Sequence, residues 1–151
     1  MTTIRPARLE EAQYLSALAL ESKVCWDYSE DFIDSCVEDL TINEQYITDN
    51  YVFVLEDQSN IIGFFSFKKE PERSWLDFLY LHPVYIGRGY GKIIWNNVVE
   101  KAKQLKIETF TIDSDPNAKP FYEKMGAVLI GETPSTAIEG RMLPLLKFEV
   151  N

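Results

Sequence analysis

The five residues 87–91, GRGYG, hold the densest chemical signal in this chain. Glycines at alternate positions let successive backbone N–H groups converge on one point. A helix opening directly after them adds partial positive charge from its N-terminus, and together they form a cradle for phosphate. Arg88 and Lys92 bring further charge. Spacing narrows the ligand. Ile94 stands where a dinucleotide fingerprint needs its third glycine. Gly87 to Lys92 is one residue short of a magnesium-gripping phosphate loop, with Ile93 where that loop needs Ser or Thr. NAD and ATP are therefore disfavoured, and a phosphate ligand that requires no metal remains.

Other chemistries find little material. His82 is the sole histidine, so a His-paired nucleophile is poorly supplied. Cys25 and Cys36 lie in helical sequence without Cys-x-x-Cys or paired-His spacing, which argues against a metal site or disulfide framework. Either could act as a nucleophile, but a reduced buried thiol is the simpler reading. A net charge of −9 opposes nucleic-acid binding and favours a cationic small molecule or basic peptide, or simply solubility. No apolar run approaches the ~20 residues needed to span a bilayer, and the N-terminus has no apolar signal region. The expected location is cytoplasmic.

The elements that position the glycine turn read clearly. Chain length, 151 residues, suits one domain. Ile4 to Pro6 predicts a short strand, and Leu9 to Lys23 a helix with Ala12, Leu15, Leu18 and Ala19 on one face. A second helix starts near Ser29, carrying Phe32, Ile33, Cys36, Val37 and Leu40, and Thr41 to Glu44 has capping-box spacing for one more short turn. Tyr51–Glu56, Ile61–Phe67 and Trp75–Leu81 predict an antiparallel meander rich in β-branched and aromatic residues. After the turn, Ile94, Trp95, Val98, Val99, Ala102 and Leu105 mark a helix that packs on the sheet. Then come a strand over Ile107–Ile112, a helix over Asn117–Met125 ending at Gly126, and strands over Ala127–Ile130 and Met142–Val150. The order is βααβββαβαββ.

This order, the run LHPVYIGRGYG over residues 81–91 and the run DPNAKPFYEKMGA over residues 115–127 together resemble the GNAT superfamily of N-acetyltransferases across essentially the whole chain. The resemblance implies an α/β fold with one mixed, twisted sheet of about seven strands flanked by helices. It also implies acetyl-CoA as co-substrate, no metal, and direct transfer to a primary amine of a small molecule or peptide. The family's pyrophosphate motif maps onto Gly89 and Gly91, with Ile86 in its usual polar first position, and the loop atoms of Ile86, Gly87, Arg88, Tyr90 and Lys92 join the same contact. Leu79, Tyr80 and Leu81 match the strand that pairs with the pantetheine arm. Tyr122 matches the tyrosine that protonates the departing thiolate, with Phe121 beside it, and Asn117 is a cofactor contact or a helix cap.

A base must also free the amine of its proton. Asp77 is the candidate, because Trp75, Asp77, Leu79 and Leu81 share one parity on their strand; Asp113 is the second choice, and either is alternatively a solvated carboxylate. The family places acceptor selection at the first helices and the loop before the last strand. Here these are residues 25–28 (CWDY) and 139–142 (EGRM), where Trp26 and Tyr28 wall a pocket and Arg141 holds an anion, or all three serve only packing. Leu145–Val150 is an edge through which two copies could pair as a homodimer. The alternative to an enzyme is a non-catalytic acetyl-CoA sensor or interaction domain on the same fold.

Overall fold

Burial runs without a break over residues 52–55 and 62–67 of the central strands, because helices cover both faces of the sheet. The computed structural model describes residues 1–26, 28–71 and 73–150. Strands are β1 (Thr2–Pro6), β2 (Tyr51–Asp57), β3 (Asn60–Glu70), β4 (Arg73–Leu81), β5 (Thr109–Asp113), β6 (Val128–Pro134) and β7 (Met142–Glu149). Helices are α1 (Ala12–Val24), α2 (Glu30–Cys36), α3 (Glu44–Asp49), α4 (Tyr90–Gln104) and α5 (Lys119–Lys124). The strands form one seven-stranded sheet ordered β1-β2-β3-β4-β5-β7-β6, in which β4 and β5 are parallel and every other pair is antiparallel. This is the expected mixed, flanked sheet.

Two apolar layers hold the helices on the sheet. On one face Trp95, Val98 and Ala102 of α4 and Tyr122 of α5 pack on Phe65, Phe67, Leu76 and Phe110. On the other, Leu15, Leu18 and Ala19 of α1 pack with Cys36 and Leu40 on Val52, Val54, Phe64 and Phe78. Phe64, Phe65 and Phe67 are fully buried, each worth roughly 1.5–3 kcal/mol of transfer free energy. The periodic residues named from sequence in α1 and α4 are the ones that enter these layers.

The structure departs from the expected layout at four places. Leu9–Glu11 forms a separate 3-10 turn before α1. The short turn near Thr41 is a full third helix, α3, and its cap is Asn43, whose side chain accepts from the Tyr46 N–H at 2.8 Å; the Thr41 hydroxyl instead donates back to the Val37 carbonyl. A bulge interrupts the β3–β4 ladder: Phe67 pairs with Leu76 and Ser66 with Phe78, so Asp77 is an extra residue without a partner. Leu76 therefore shares a face with Leu79 and Leu81 while Phe78 and Tyr80 turn to the α1 side, and the simple parity that grouped Asp77 with Leu79 fails at this residue. Finally, β7 is paired on both sides, so Leu145–Val150 offers no free edge. The outer strand is β6, where Val128, Leu129 and Ile130 are exposed.

Candidate active site

A parallel pair that separates after one contact makes the first half of the site. Trp75 pairs with Thr111 and no further residues of β4 and β5 are in register, so beyond this point the strands diverge and leave a wedge. A cleft of about 290 Å³ fills it, walled by Leu79, Leu81, Ile86, Gly87, Gly91, Phe121 and Tyr122. Gly87 and Gly89 adopt φ of +83° and +86°, conformations that cost an L-residue strain, and a Cβ at either would meet nothing. Gly89 is the N-cap of α4 and supplies no side-chain acceptor, so the first amide groups of this 15-residue helix remain available to an anion. A Cβ on Gly91 would come within 3.0 Å of the Phe121 ring, which is why α4 approaches α5 so closely there. Arg88 and Lys92 are exposed beside the turn, and Tyr90 packs edge-on against Tyr85 at 5.4 Å.

Tyr122 is buried from α5 and lines the cleft. Burial, reinforced by the Asp115 carboxylate, pushes its pKa above the ordinary phenol value, so it keeps its proton. Its hydroxyl has no hydrogen-bond partner among the described residues. Tyr80 turns its ring to Phe64 and Phe78 on the opposite face, leaving its backbone to the β4 wall.

On the α1 side a second cavity of about 470 Å³ opens between the α2–α3 connection, β4 and the β6–β7 loop. Asp77 borders both cavities. The Tyr46 hydroxyl donates to its Oδ2 at 2.5 Å, and since a phenol has one proton, Ser66 donates to Tyr46 at 2.8 Å. Burial and the Asp77 carboxylate raise the Tyr46 pKa and keep that donor protonated. Asp113 also borders both cavities but meets Arg73 at 3.3 Å.

Between the cavities lies an ionic cluster that sequence patterns did not disclose. Asp115 accepts from Lys23 Nζ, from the Tyr28 hydroxyl at 2.8–2.9 Å and from the Asn117 N–H at 2.8 Å. Tyr28 in turn accepts from Asn117 Nδ2 at 2.9 Å and from Arg141 at 3.1 Å, and stacks on Phe32 at 4.0 Å. Burial alone would push the Asp115 carboxyl up, but the bonds from Lys23, Asn117 and Tyr28 outweigh it and hold the group below its usual range. Burial and Asp115 raise the Tyr28 pKa.

Among the residues named from sequence, Tyr28 and Arg141 thus meet, with the Arg141 guanidinium 4.7 Å from the Phe32 ring. Arg141 also lines the larger cavity and stands 3.9 Å from the Asp115 carboxylate. Trp26, 46% exposed, borders the cleft beside β4 rather than the larger cavity, and Asp27 lies outside the described residues. Asn117 joins the Asp115 cluster, and the N-cap of α5 is Ala118. Among the described residues no group of His, Cys, Asp and Glu could hold a metal ion, and no helix is long and apolar enough to cross a membrane.

Comparison with known proteins agrees with this fold. Residues 10–137 match the family model described as an acetyltransferase (GNAT) domain. An uncharacterized N-acetyltransferase, ycf52, of Pyropia yezoensis is 31% identical over 48 residues, 32% of this chain and 28% of the relative's length. The solved structure of a GCN5-related N-acetyltransferase from Rhodopseudomonas palustris superposes with a TM-score of 0.76 at 24% identity, covering 99% of this chain and 96% of that one. The PaiA N-acetyltransferase of Thermoplasma acidophilum, solved in complex with coenzyme A, gives a TM-score of 0.77 at 21% identity, covering 99% of both chains. With a match over residues 10–137 and a shared seven-stranded sheet, the chain belongs to the GNAT acetyltransferase family.

Proposed function

We propose that this protein transfers an acetyl group from acetyl-CoA directly to a primary amine within a ternary complex, as one domain working in the cytoplasm. The observation that carries the reading is the wedge between β4 and β5, which ends at an α4 N-terminus without a side-chain cap and has the Tyr122 hydroxyl on its wall. Leu79–Leu81 supply a strand edge for the amide groups of the pantetheine arm, and the Gly87–Gly91 turn supplies amide donors for the pyrophosphate. The relative solved with coenzyme A supports that choice of donor. Bound acetyl-CoA supplies the thioester whose acyl carbon receives the amine.

The chain's own residues manage two protons. Asp77, directly or through a water, takes one from the acceptor so that its nitrogen lone pair forms the new C–N bond. Tyr122 gives its proton to the sulfur as the C–S bond breaks. Asp77 and Tyr122 both border the β4–β5 cleft, so removal and delivery of protons occur at one location. Isothermal titration with acetyl-CoA in metal-free buffer tests the reading. Micromolar binding that disappears when Gly89 and Gly91 are both replaced by valine supports it, and absent binding overturns it. Binding without thiol release across a panel of amines, unaffected by Tyr122→Phe, would indicate the non-catalytic sensor instead.

A further inference from the structure

The larger cavity carries charges that do not all cancel in place. Lys23 and Arg141 both serve Asp115, and Arg73 meets Asp113. Asp39 and Asp77, however, have as hydrogen-bond donors only the neutral hydroxyls of Thr136 and Tyr46 among the described residues. Lys68 is the converse case. Its ammonium lies 5.6 Å from the ring centroids of Tyr46 and of Trp75, and no carboxylate of the described residues lies within ion-pair distance. Aromatic faces stabilise a cation only modestly, so an anion arriving in the cavity gains a positive partner.

Tyr46 connects the two unlike charges: its hydroxyl holds Asp77 at 2.5 Å and its ring faces Lys68. Asp77 sits on the β4 bulge, and Lys68 on β3 pairs with Trp75, two residues further down β4. At a rise of about 3.3 Å per residue the two sites are separated by roughly the length of a small bifunctional molecule. We propose that the acceptor is an amine that also bears a carboxylate, an amino acid or short peptide, with its nitrogen at Asp77 and its carboxylate at Lys68. A diamine of the same length would set its second cation against the Lys68 ammonium. This inference rests on the acetyltransferase reading above.

The test compares acceptors of similar amine basicity with and without the anion. Glycine, β-alanine, leucine and glutamate are each measured against the corresponding amino alcohol, with 1,4-diaminobutane as the dication. Thiol release from acetyl-CoA gives kcat/KM, and calorimetry on CoA-saturated protein gives Kd. The acids are expected to exceed the alcohols by about tenfold or more, the scale of a charge-assisted contact. Lys68→Met is expected to bring the ratio toward one, and Lys68→Arg to keep it. Acids and alcohols treated alike by a protein that binds acetyl-CoA, a preference for the diamine, or a ratio that survives Lys68→Met would overturn this inference alone. Failure to bind acetyl-CoA would overturn the transferase reading instead.

Discussion

Lys23 on α1 and Asp115 after β5, 92 residues apart in sequence, form an ion pair with side chains only 10% and 11% exposed. Removing one member of so enclosed a pair leaves the other desolvated and uncompensated. Asp115→Ala is expected to cost about 3 kcal/mol, and Lys23→Met combined with Asp115→Ala less than the sum of the single changes. Denaturant titration of the three variants checks this. Because folding lowers the Asp115 pKa from its ordinary 3.8, the stability it contributes is fully present above that pH. It is lost as pH falls through the lower folded value, so the wild type should lose an increment below pH 3.8 that Asp115→Ala lacks.

Tyr122→Phe should reduce kcat by about a hundredfold or more, in line with loss of a positioned acid. Since the hydroxyl has no partner among the described residues, acetyl-CoA affinity and melting temperature should stay close to wild type. A variant that lost binding and kcat together would place Tyr122 in packing instead.

Gly89→Val forces a β-branched residue to a φ of +86° at the N-cap of α4. Strain there costs roughly 1–2 kcal/mol and displaces the first amide donors. Acetyl-CoA Kd should rise at least tenfold, while an amino-acid acceptor's KM, read at saturating acetyl-CoA, should change far less. Calorimetry and initial rates separate the two.

Asp77→Asn should lower kcat/KM by about a hundredfold, the scale of a lost general base, while acetyl-CoA affinity read by calorimetry stays close to wild type. Tyr46→Phe removes the 2.5 Å donor to Asp77 and leaves its ring in place. It should lower the rate less than Asp77→Asn, since the carboxylate remains and only the group that orients it is lost; initial rates at saturating acetyl-CoA compare the two variants.

Local structure was legible in the sequence wherever neighbours in the chain are neighbours in space. The glycine turn needed only short-range spacing, the Phe121–Tyr122 pair came from the family resemblance of one continuous run, and Gly87, Gly91, Phe121 and Tyr122 all line the β4–β5 cleft. The periodic faces of α1 and α4 were equally plain, because burial on a helix repeats every turn. What could not be read depends on distant pairing. Lys23 looked like one more polar helix residue until the fold brought Asp115 to it. The bulge at Asp77 leaves no mark in β4 itself, since its cause is the register against β3. Tyr46 and Lys68 gain meaning only from sharing a wall with Asp77. Likewise β7 resembles any alternating terminal strand, and its interior place follows from β6 folding back outside it.

The two cavities share Lys23, Leu76, Asp77, Tyr80, Asp113 and Asp115, but, β4 apart, the remainder of their walls come from different stretches of chain. The glycine turn, α4 and α5 build one side, while residues 36–41 and 134–143 build the other. Inheritance can therefore act on them separately. On the acetyltransferase reading, changes in those two segments or at Lys68 would retune which molecule is modified without disturbing the common currency of the reaction, as exchangeable parts around a fixed party wall.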